Sequence, residues 1–217
     1  MTDIPIIDPH FHLWDLDNNY YPWLSDGVKP SAFGDYTAIN KTYLIEDFLA
    51  DAKSQNLVKA VHLDVGYDPA DPAGETRWLQ GVADAHGFPH GIVGYADFRK
   101  LDVGDLLDEH MQCANFRGIR QSMNFHPDPA KTYLTEPFVS RSPEWRRGFR
   151  ELARRAHHVE HAAAGRAADQ VRVHAGRAEA LVVGLRYRVA GLQVAREQGP
   201  ELLLAVVALG ERVLRRC

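Results

Sequence analysis

The stretch Ile6-Ile7-Asp8-Pro9-His10-Phe11-His12-Leu13-Trp14-Asp15 decides how the rest of this chain is interpreted. It predicts a short apolar strand that runs directly into a His-x-His pair. Because side chains alternate between the two faces of a strand, we expect Asp8, His10 and His12 to share one face and Phe11 and Leu13 to share the other. Two imidazoles on one face, at the end of a strand, predict half of a divalent metal site or a polar substrate pocket.

Composition and charge describe an ordinary soluble globular protein. The chain has 217 residues, of which 45% are apolar and 25% charged, and its net charge is −4. No segment reaches the roughly 18 uninterrupted apolar residues of a membrane helix, and the N-terminus lacks a signal-peptide pattern. Cys113 and Cys217 form no disulfide or zinc pattern. We therefore expect a cytoplasmic protein without a membrane partner; nothing predicts its oligomeric state. Dispersed basic residues without interleaved aromatics also disfavour a nucleic-acid partner.

Strand-like and helix-like stretches alternate over the first part of the chain. Strands are predicted at Ile4–Asp8, Leu57–Val65, Gly91–Ala96 and Phe116–Ser122, and helices at Ile45–Gln55, Gly74–His86, Asp102–Ala114 and Pro143–Arg155. Asp102 is expected to cap its helix. Apolar strands separated by helices predict an α/β fold with a parallel sheet. Four such units in about 150 residues correspond to half of a (β/α)8 TIM barrel.

The composition changes near Arg155. Residues 151–217 contain no Lys, Ile, Phe, Trp, Met, Ser, Thr or Asn, although cores normally use Ile and Phe and loops normally use Ser, Thr and Asn. Strands at Val171–Val173 and Leu202–Val207 and a helix at Ala178–Arg196 are still predicted. We therefore interpret 1–155 as the N-terminal part of a barrel and 156–217 as its divergent, degraded or frame-shifted continuation. The barrel would be incomplete, with about six or seven strands and its last unit absent.

Polar side chains end each of the four predicted strands. In a TIM barrel the site lies at the carboxyl ends of the strands. The polar residues at these ends are Asp8, His10, His12, His62, Asp64, Tyr95, Asp97 and Arg120, with Gln121, Asn124 and His126 just beyond. Because an unpaired buried charge is costly, their convergence predicts a polar pocket. For Asp97, Asn124 or His126 alone, a structural role at the rim is an equally good interpretation.

Arg120 and the loop aromatics are the candidates for substrate contact. The Arg120 guanidinium could bind a substrate carboxylate with two hydrogen bonds. Arg117, three positions earlier on the same strand, faces the other way and is expected at the exterior. Trp14, Tyr21 and the neighbouring Tyr20 and Trp23 either line the pocket or only tie down the long loop after the first strand.

Several motifs, in this order, resemble a known family. They are the stretch from Ile7 to Asp15 followed by Tyr21-Pro22-Trp23-Leu24, then Val61-His62-Leu63-Asp64, Glu75-Thr76-Arg77-Trp78-Leu79, Arg117-Gly118-Ile119-Arg120-Gln121 and Trp145-Arg146-Arg147-Gly148-Phe149. Over residues 4–155 the chain resembles the amidohydrolase-related (amidohydrolase 2) TIM-barrel hydrolases, in their lactonase-like branch. That branch includes sugar-acid lactonases and hydrolases of aromatic-degradation lactones.

The resemblance implies roles for individual residues. Some members use a divalent metal, zinc or manganese, and others use none, so His10 and His12 would bind the metal or polarise the substrate carbonyl. Arg120 would hold a substrate carboxylate, with Asp64, Trp14 and Tyr21 also at the substrate. His174 would be catalytic, because His174-Ala175-Gly176 is similar to the family's sixth-strand motif, although Val173 stands where the family has Asn.

The family's general base, an Asp on the eighth strand, has no counterpart in this chain. Lactone hydrolysis needs both a group that stabilises the oxyanion and a base that activates water. We therefore expect a hydrolase acting on a lactone or another cyclic ester of a small carboxylic acid. The alternatives are a catalytically inactive truncated barrel and a metal-dependent decarboxylase of the same fold.

Overall fold

The computed structural model describes residues 4–29, 34–123, 125–128, 136–163 and 204–208, with side chains described up to 155. Its centre is a sheet of four parallel strands that are neighbours in chain order: β1 (Ile6–Phe11), β2 (Leu57–Leu63), β3 (Gly91–Tyr95) and β4 (Phe116–Ser122). A fifth strand, β5 (Leu204–Ala208), pairs antiparallel with β4. The described fold is therefore α/β with a mainly parallel sheet.

Helices connect and follow the parallel strands. They are α1 (Pro22–Ser25), α2 (Ile45–Asp51), α3 (Gly74–His86), α4 (Val103–Met111) and α5 (Pro143–Ala163), with short 3-10 turns at Thr37–Ile39, Ala52–Ser54 and Val139–Arg141. None of the helices in the described part of the chain combines the length and the apolar character that crossing a membrane requires.

The predicted alternation of strands and helices is confirmed. The elements α2, β2 and α4 end earlier than predicted and α5 ends later, and three further differences affect the first strand, a helix cap and the topology. The first strand continues to Phe11 instead of ending at Asp8, and its pairing with β2 is irregular between Asp8 and Phe11, around Pro9, which has no amide hydrogen. The prediction that Asp102 caps α4 with its side chain is wrong, because only its backbone carbonyl accepts hydrogen bonds, from the amides of Asp105 and Leu106.

The third difference concerns the end of the chain. A TIM barrel requires every neighbouring strand to be parallel, but β5, close to the strand predicted at Leu202–Val207, runs antiparallel to β4. The sheet formed by the described residues is thus mixed, and β1 and β5 are its two ends. The predicted strand Val171–Val173 and helix Ala178–Arg196 lie outside the described residues.

The core of the described part of the chain consists of three apolar clusters. The first joins the strands to α2 and α3 and contains Phe11, Leu13, Ile45, Phe48, Ala60, Leu79 and Ile92. The second joins β4 to α4 and α5 and contains Ala96, Phe98, Val103, Leu107, Phe116, Ile119, Trp145 and Leu152, among others. The third, made of Tyr21, Leu24, Tyr36 and Val65, packs the long loop after β1 against the end of β2. Together they hold the carboxyl ends of the strands in place.

Candidate functional site

The imidazoles of His10 and His12 meet at the end of β1. Their Nε2 atoms are 3.0 Å apart, and their rings stand edge to face at a centroid distance of 4.8 Å. This confirms that the two side chains share a face. The Asp8 side chain does not reach the two imidazoles in this way. Its Oδ1 accepts a hydrogen bond of 3.0 Å from the amide of His10 and so supports the backbone between Asp8 and His10.

The protonation of the pair follows from its partners. His12 Nδ1 lies 2.9 Å from the carbonyl oxygen of Leu63, and since a carbonyl oxygen only accepts, Nδ1 must carry the hydrogen. Burial lowers the pKa of His12 to about 4, so the ring is neutral near pH 7 and its Nε2 has a free lone pair. His10 Nε2 therefore donates to His12 Nε2. Second-sphere carbonyl contacts of this kind orient metal-binding histidines in other proteins.

The histidine pair fits part of a metal site. Two nitrogens bound to one tetrahedral zinc ion at about 2.0–2.1 Å would be about 3.3 Å apart, close to the 3.0 Å observed between the Nε2 atoms. A zinc site needs at least three protein ligands. Within the part of the chain that the structure describes, no group of three or more His, Cys, Asp or Glu side chains could hold a metal ion. His10 and His12 supply two nitrogens at a suitable spacing, one fewer than a zinc site needs, so their binding of a metal stays a prediction.

His62 lies directly behind the pair, on β2. It is fully buried, and its ring is edge-on to that of His12 at a centroid distance of 5.8 Å. Its Nε2 accepts a hydrogen bond of 2.9 Å from the amide of Leu13. Burial lowers the pKa of His62 well below its ordinary value, so this neutral ring fixes the backbone that follows His12.

Asp64 and Arg120 form an ion pair at the ends of β2 and β4. Arg120 Nε donates to Asp64 Oδ1 over 2.6 Å, and its Nη2 donates to the main-chain oxygen of Asp64. Both side chains are largely buried, with 16% of Arg120 and 9% of Asp64 exposed. A guanidinium has five N–H donors, so Asp64 takes two of them. The predicted two-point contact with a substrate carboxylate would therefore use the end of the guanidinium that carries Nη1 and the second Nη2 hydrogen.

Arg120 links the ion pair to the histidines electrostatically. Burial is the main reason that the pKa of His10 lies below its ordinary value, and the positive charge of Arg120 lowers it further, while Asp8 raises it. Arg120 also lowers the pKa of His12 and of His62. The four residues His10, His12, Asp64 and Arg120 thus lie together at the carboxyl ends of three strands, and their roles at a substrate stay predictions.

Asp97 and Gln121 belong to a neighbouring structural network. Asp97 pairs with Arg99 at 2.8 Å and accepts a hydrogen bond of 3.0 Å from Gln121 Nε2. The Gln121 side-chain oxygen in turn accepts from Trp145 Nε1 at 2.9 Å. Hydrogen bonds to the Arg99 side chain and backbone hold the pKa of Asp97 below its ordinary value, against the effect of burial. Tyr95 lies between the two networks, and burial, Asp97 and Asp64 raise its pKa to about 12.

The loop aromatics are packed into the protein. Tyr21 is fully buried in the loop cluster. Trp14 is half-buried, and its Nε1 donates to the carbonyl of Lys41 over 2.6 Å. Trp23 Nε1 donates to the carbonyl of Val65 over 2.5 Å. These contacts tie down the loop, and a substrate contact by Trp14 or Tyr21 stays a prediction.

Other predicted residues lie apart or outside the described residues. Arg117 donates to the carbonyls of Ala114 and Phe116 at 2.7 and 2.8 Å. His126 is exposed, and its Nδ1 accepts from the amide of Asp128 at 2.9 Å. Asn124 and His174 lie outside the described residues, so the catalytic role of His174 stays a prediction.

Two buried polar residues near the site were not predicted from the sequence. Glu75 on α3 is 1% exposed, and His110 on α4 is fully buried. His110 Nε2 donates to the carbonyl of Tyr95 at 3.0 Å, and its Nδ1 accepts from the hydroxyl of Thr76 at 2.8 Å. Helical spacing indicates that both side chains face the core. Glu75 stands four residues before Leu79 and eight before Ala83, and His110 lies on the same helix face as Val103 and Leu107.

Comparisons with known proteins give partial matches. No family model matches the chain. The uncharacterized protein y4mH of Sinorhizobium fredii (strain NBRC 101917 / NGR234) is 88% identical over 155 residues, which are 71% of this chain and 52% of y4mH. The chain therefore spans about half the length of this curated relative.

Two crystal structures of an amidohydrolase from Burkholderia multivorans are similar to parts of the chain at 22% identity. The structure with bound zinc covers 56% of this chain and 38% of its own, with a TM-score of 0.41. The structure with bound HEPES covers 65% of this chain and 42% of its own, with a TM-score of 0.45.

Proposed function

We propose that this chain is a hydrolase of the amidohydrolase-related type and that it opens a lactone of a small carboxylic acid. The residues at the carboxyl ends of β1, β2 and β4 would form part of its active site. The observation that supports the proposal is the meeting of the His10 and His12 Nε2 atoms at 3.0 Å, beside the Asp64–Arg120 pair. Lactone hydrolysis needs an electrophilic group at the carbonyl oxygen and a cation for a substrate carboxylate. The two pairs offer both kinds of group at one edge of the sheet.

The histidines would act at the lactone carbonyl. In the proposed site His10 and His12 would hold a divalent metal, zinc or manganese, as two of the three or more protein ligands that such a site needs. Such a metal, when bound, polarises a carbonyl and lowers the pKa of its water. Without it, both rings are neutral near pH 7, and the pair has a single Nε2 hydrogen, that of His10, which could be donated to the carbonyl oxygen only by giving up its contact with His12.

Arg120 would select the substrate. Its Nε edge is held by Asp64, so a carboxylate would approach the Nη end of the guanidinium and receive two charge-assisted hydrogen bonds. The partner in this proposal is a small lactone that carries a free carboxylate. Neither a nucleic acid nor a membrane is part of it.

The proposal is tested with the purified full chain, by elemental analysis for zinc and manganese and by hydrolysis of sugar-acid and carboxymethyl lactones. We expect His10→Ala and His12→Ala to lose the metal and to lower kcat/KM at least about a hundredfold, the scale of a lost catalytic group. His86→Ala is the matched control, because His86 is an exposed histidine of α3 away from the candidate site. Its Nε2 lies 3.6 Å from Oε1 of Glu46 at the surface.

Each alternative has its own result. Metal binding together with release of carbon dioxide from a carboxylic acid, and no ring opening, would support the decarboxylase. Absence of turnover with every lactone would support the inactive barrel. Hydrolysis that His10→Ala leaves unchanged would show that the site has been assigned to the wrong residues.

A further inference from the structure

The peptide bond between Asp64 and Val65 connects the rim to a buried acid. On one side of this peptide, the Asp64 carbonyl oxygen accepts a hydrogen bond from Arg120 Nη2. On the other side, the Val65 N–H donates to Glu75 Oε1 over 3.2 Å. Because a peptide unit is planar, the direction of the N–H determines the direction of the carbonyl. Glu75 and Arg120 therefore bind opposite sides of a single rigid unit.

The surroundings of Val65 strengthen this connection. The next carbonyl, that of Val65 itself, accepts a hydrogen bond of 2.5 Å from Trp23 Nε1. Val65 is buried in the loop cluster, and Gly66 has a φ of +78°, which is a left-handed conformation that favours glycine. The backbone after β2 is thus held from α3 on one side and from the loop on the other.

Glu75 is placed where a protonated acid suits the charges. It lies in the first turn of α3 with 1% exposure, and its titratable neighbours are Asp64, Arg120, Tyr21 and Tyr67. Burial raises the pKa of Glu75 well above its ordinary value, and the Asp64 carboxylate raises it further. Glu75 Oε1 accepts from Val65, while burial and the neighbouring Asp64 carboxylate disfavour a second negative charge at this place.

We propose that Glu75 is a positioning residue, which holds the Asp64–Val65 peptide and so sets the direction in which the Arg120 guanidinium faces a substrate carboxylate. The effect on substrate rests on the proposed function, whereas the effect on the direction of Arg120 does not. Glu75 touches no substrate in this proposal.

The first measurement needs no activity. It follows solvent exchange of the Arg120 Nε–H by NMR, with the signal assigned by its loss in Arg120→Lys. We expect Glu75→Leu to speed this exchange about tenfold, the effect of one lost hydrogen bond that had held a buried group. Glu75→Gln keeps an oxygen acceptor and should stay within about twofold of the wild type.

Matched variants keep the result interpretable. Asp84→Leu is the control, because Asp84 is an exposed acid of the same helix that accepts from Gln80 Nε2. Glu75→Asp keeps the carboxyl group but is one methylene too short to reach Val65, and it replaces Glu75→Leu if that variant does not fold. Asp84→Leu should leave the Arg120 exchange rate unchanged.

The second measurement separates binding from turnover. It compares a carboxymethyl lactone with its carboxamide analogue, which has the same shape and no charge. We expect Glu75→Leu to raise KM for the carboxymethyl lactone about tenfold and to leave kcat unchanged. KM for the carboxamide should not change, since a general loss of structure would affect both substrates equally.

Two results overturn the proposal: unchanged Arg120 exchange in both Glu75→Leu and Glu75→Asp, or equally fast exchange in Glu75→Gln and Glu75→Leu. If the wild type hydrolyses neither lactone but the exchange rates differ as expected, the proposed function fails and the positioning role of Glu75 is supported. The two failures are therefore distinguishable.

Discussion

Gly148 is the position where a single added methyl group should disturb the fold most directly. It lies in α5, where the helix crosses the chain after β3. A Cβ on Gly148 would stand 2.1 Å from the carbonyl oxygen of Phe98 and 2.8 Å from its carbonyl carbon. Nonbonded heavy atoms in contact are about 3.5 Å apart, so the overlap exceeds about 1 Å. Since the atoms it meets are backbone, the helix or the segment must move.

The expected cost follows from what α5 holds in place. Moving α5 weakens the contacts of Trp145 and Phe149 with the Phe98 ring and the hydrogen bond from Trp145 to Gln121. Overpacking costs about 1–3 kcal/mol and the lost hydrogen bond about 1 kcal/mol, while replacing a helical glycine with alanine returns about 1 kcal/mol. We expect Gly148→Ala to lower the free energy of unfolding by about 1–3 kcal/mol.

Urea unfolding followed by tryptophan fluorescence and far-UV circular dichroism measures this change. With a slope of about 2 kcal/mol per molar urea, the midpoint should fall by about 0.5–1.5 M. The control is Gly81→Ala in α3, where a Cβ would meet no atom within 4 Å, so the midpoint should rise by up to about 0.5 M. A Gly148→Ala midpoint equal to or above that of the wild type would refute the reasoning.

Three further predictions concern buried polar groups and close contacts. The wild type should lose stability relative to Glu75→Gln as pH rises above 4.5. Above that pH the acid ionises in the unfolded chain but not in its buried position, because its pKa is raised in the folded protein. Urea midpoints of both proteins between pH 4 and 8 measure the difference. Trp145→Phe should lose about 1 kcal/mol, since it removes the hydrogen bond to Gln121 and keeps an aromatic ring; a urea midpoint equal to that of the wild type would contradict this. Gly94→Ala should lower the thermal midpoint by about 2–4 °C for each kcal/mol lost, because its Cβ would stand 2.7 Å from the buried His110 ring, and calorimetry measures the shift.

The order and type of the elements could be predicted because they depend on local pattern. The spacing of apolar residues is sufficient to place α3 at Gly74–His86 and β4 at Phe116–Ser122, the bounds predicted from it. The end of β1 was predicted three residues too early, because Pro9 is a strong signal against a strand. At the end strand of the described sheet, a residue without an amide hydrogen is tolerated.

The candidate site was predictable as a set of residues and not as a set of contacts. Alternation along a strand predicts that His10 and His12 share a face, and their Nε2 atoms meet. No local pattern shows that Asp64 and Arg120, on strands separated by β3, bind each other. Glu75 was missed for a related reason: an acid in the first turn of a helix is commonly exposed, and only its spacing from Leu79 indicated burial.

The Asp64–Arg120 pair has a consequence for the histidines. An isolated guanidinium at this position would bind a carboxylate more strongly, but it would also lower the pKa values of His10 and His12 further. Asp64 offsets that positive charge while holding the guanidinium in one orientation. Because burial already keeps both imidazoles neutral, their nitrogen lone pairs stay available over the physiological pH range. The anion-binding part and the imidazole part of the candidate site are therefore linked through Arg120, which pairs with Asp64 and lowers the pKa of both histidines; the pattern of each strand alone does not reveal this link.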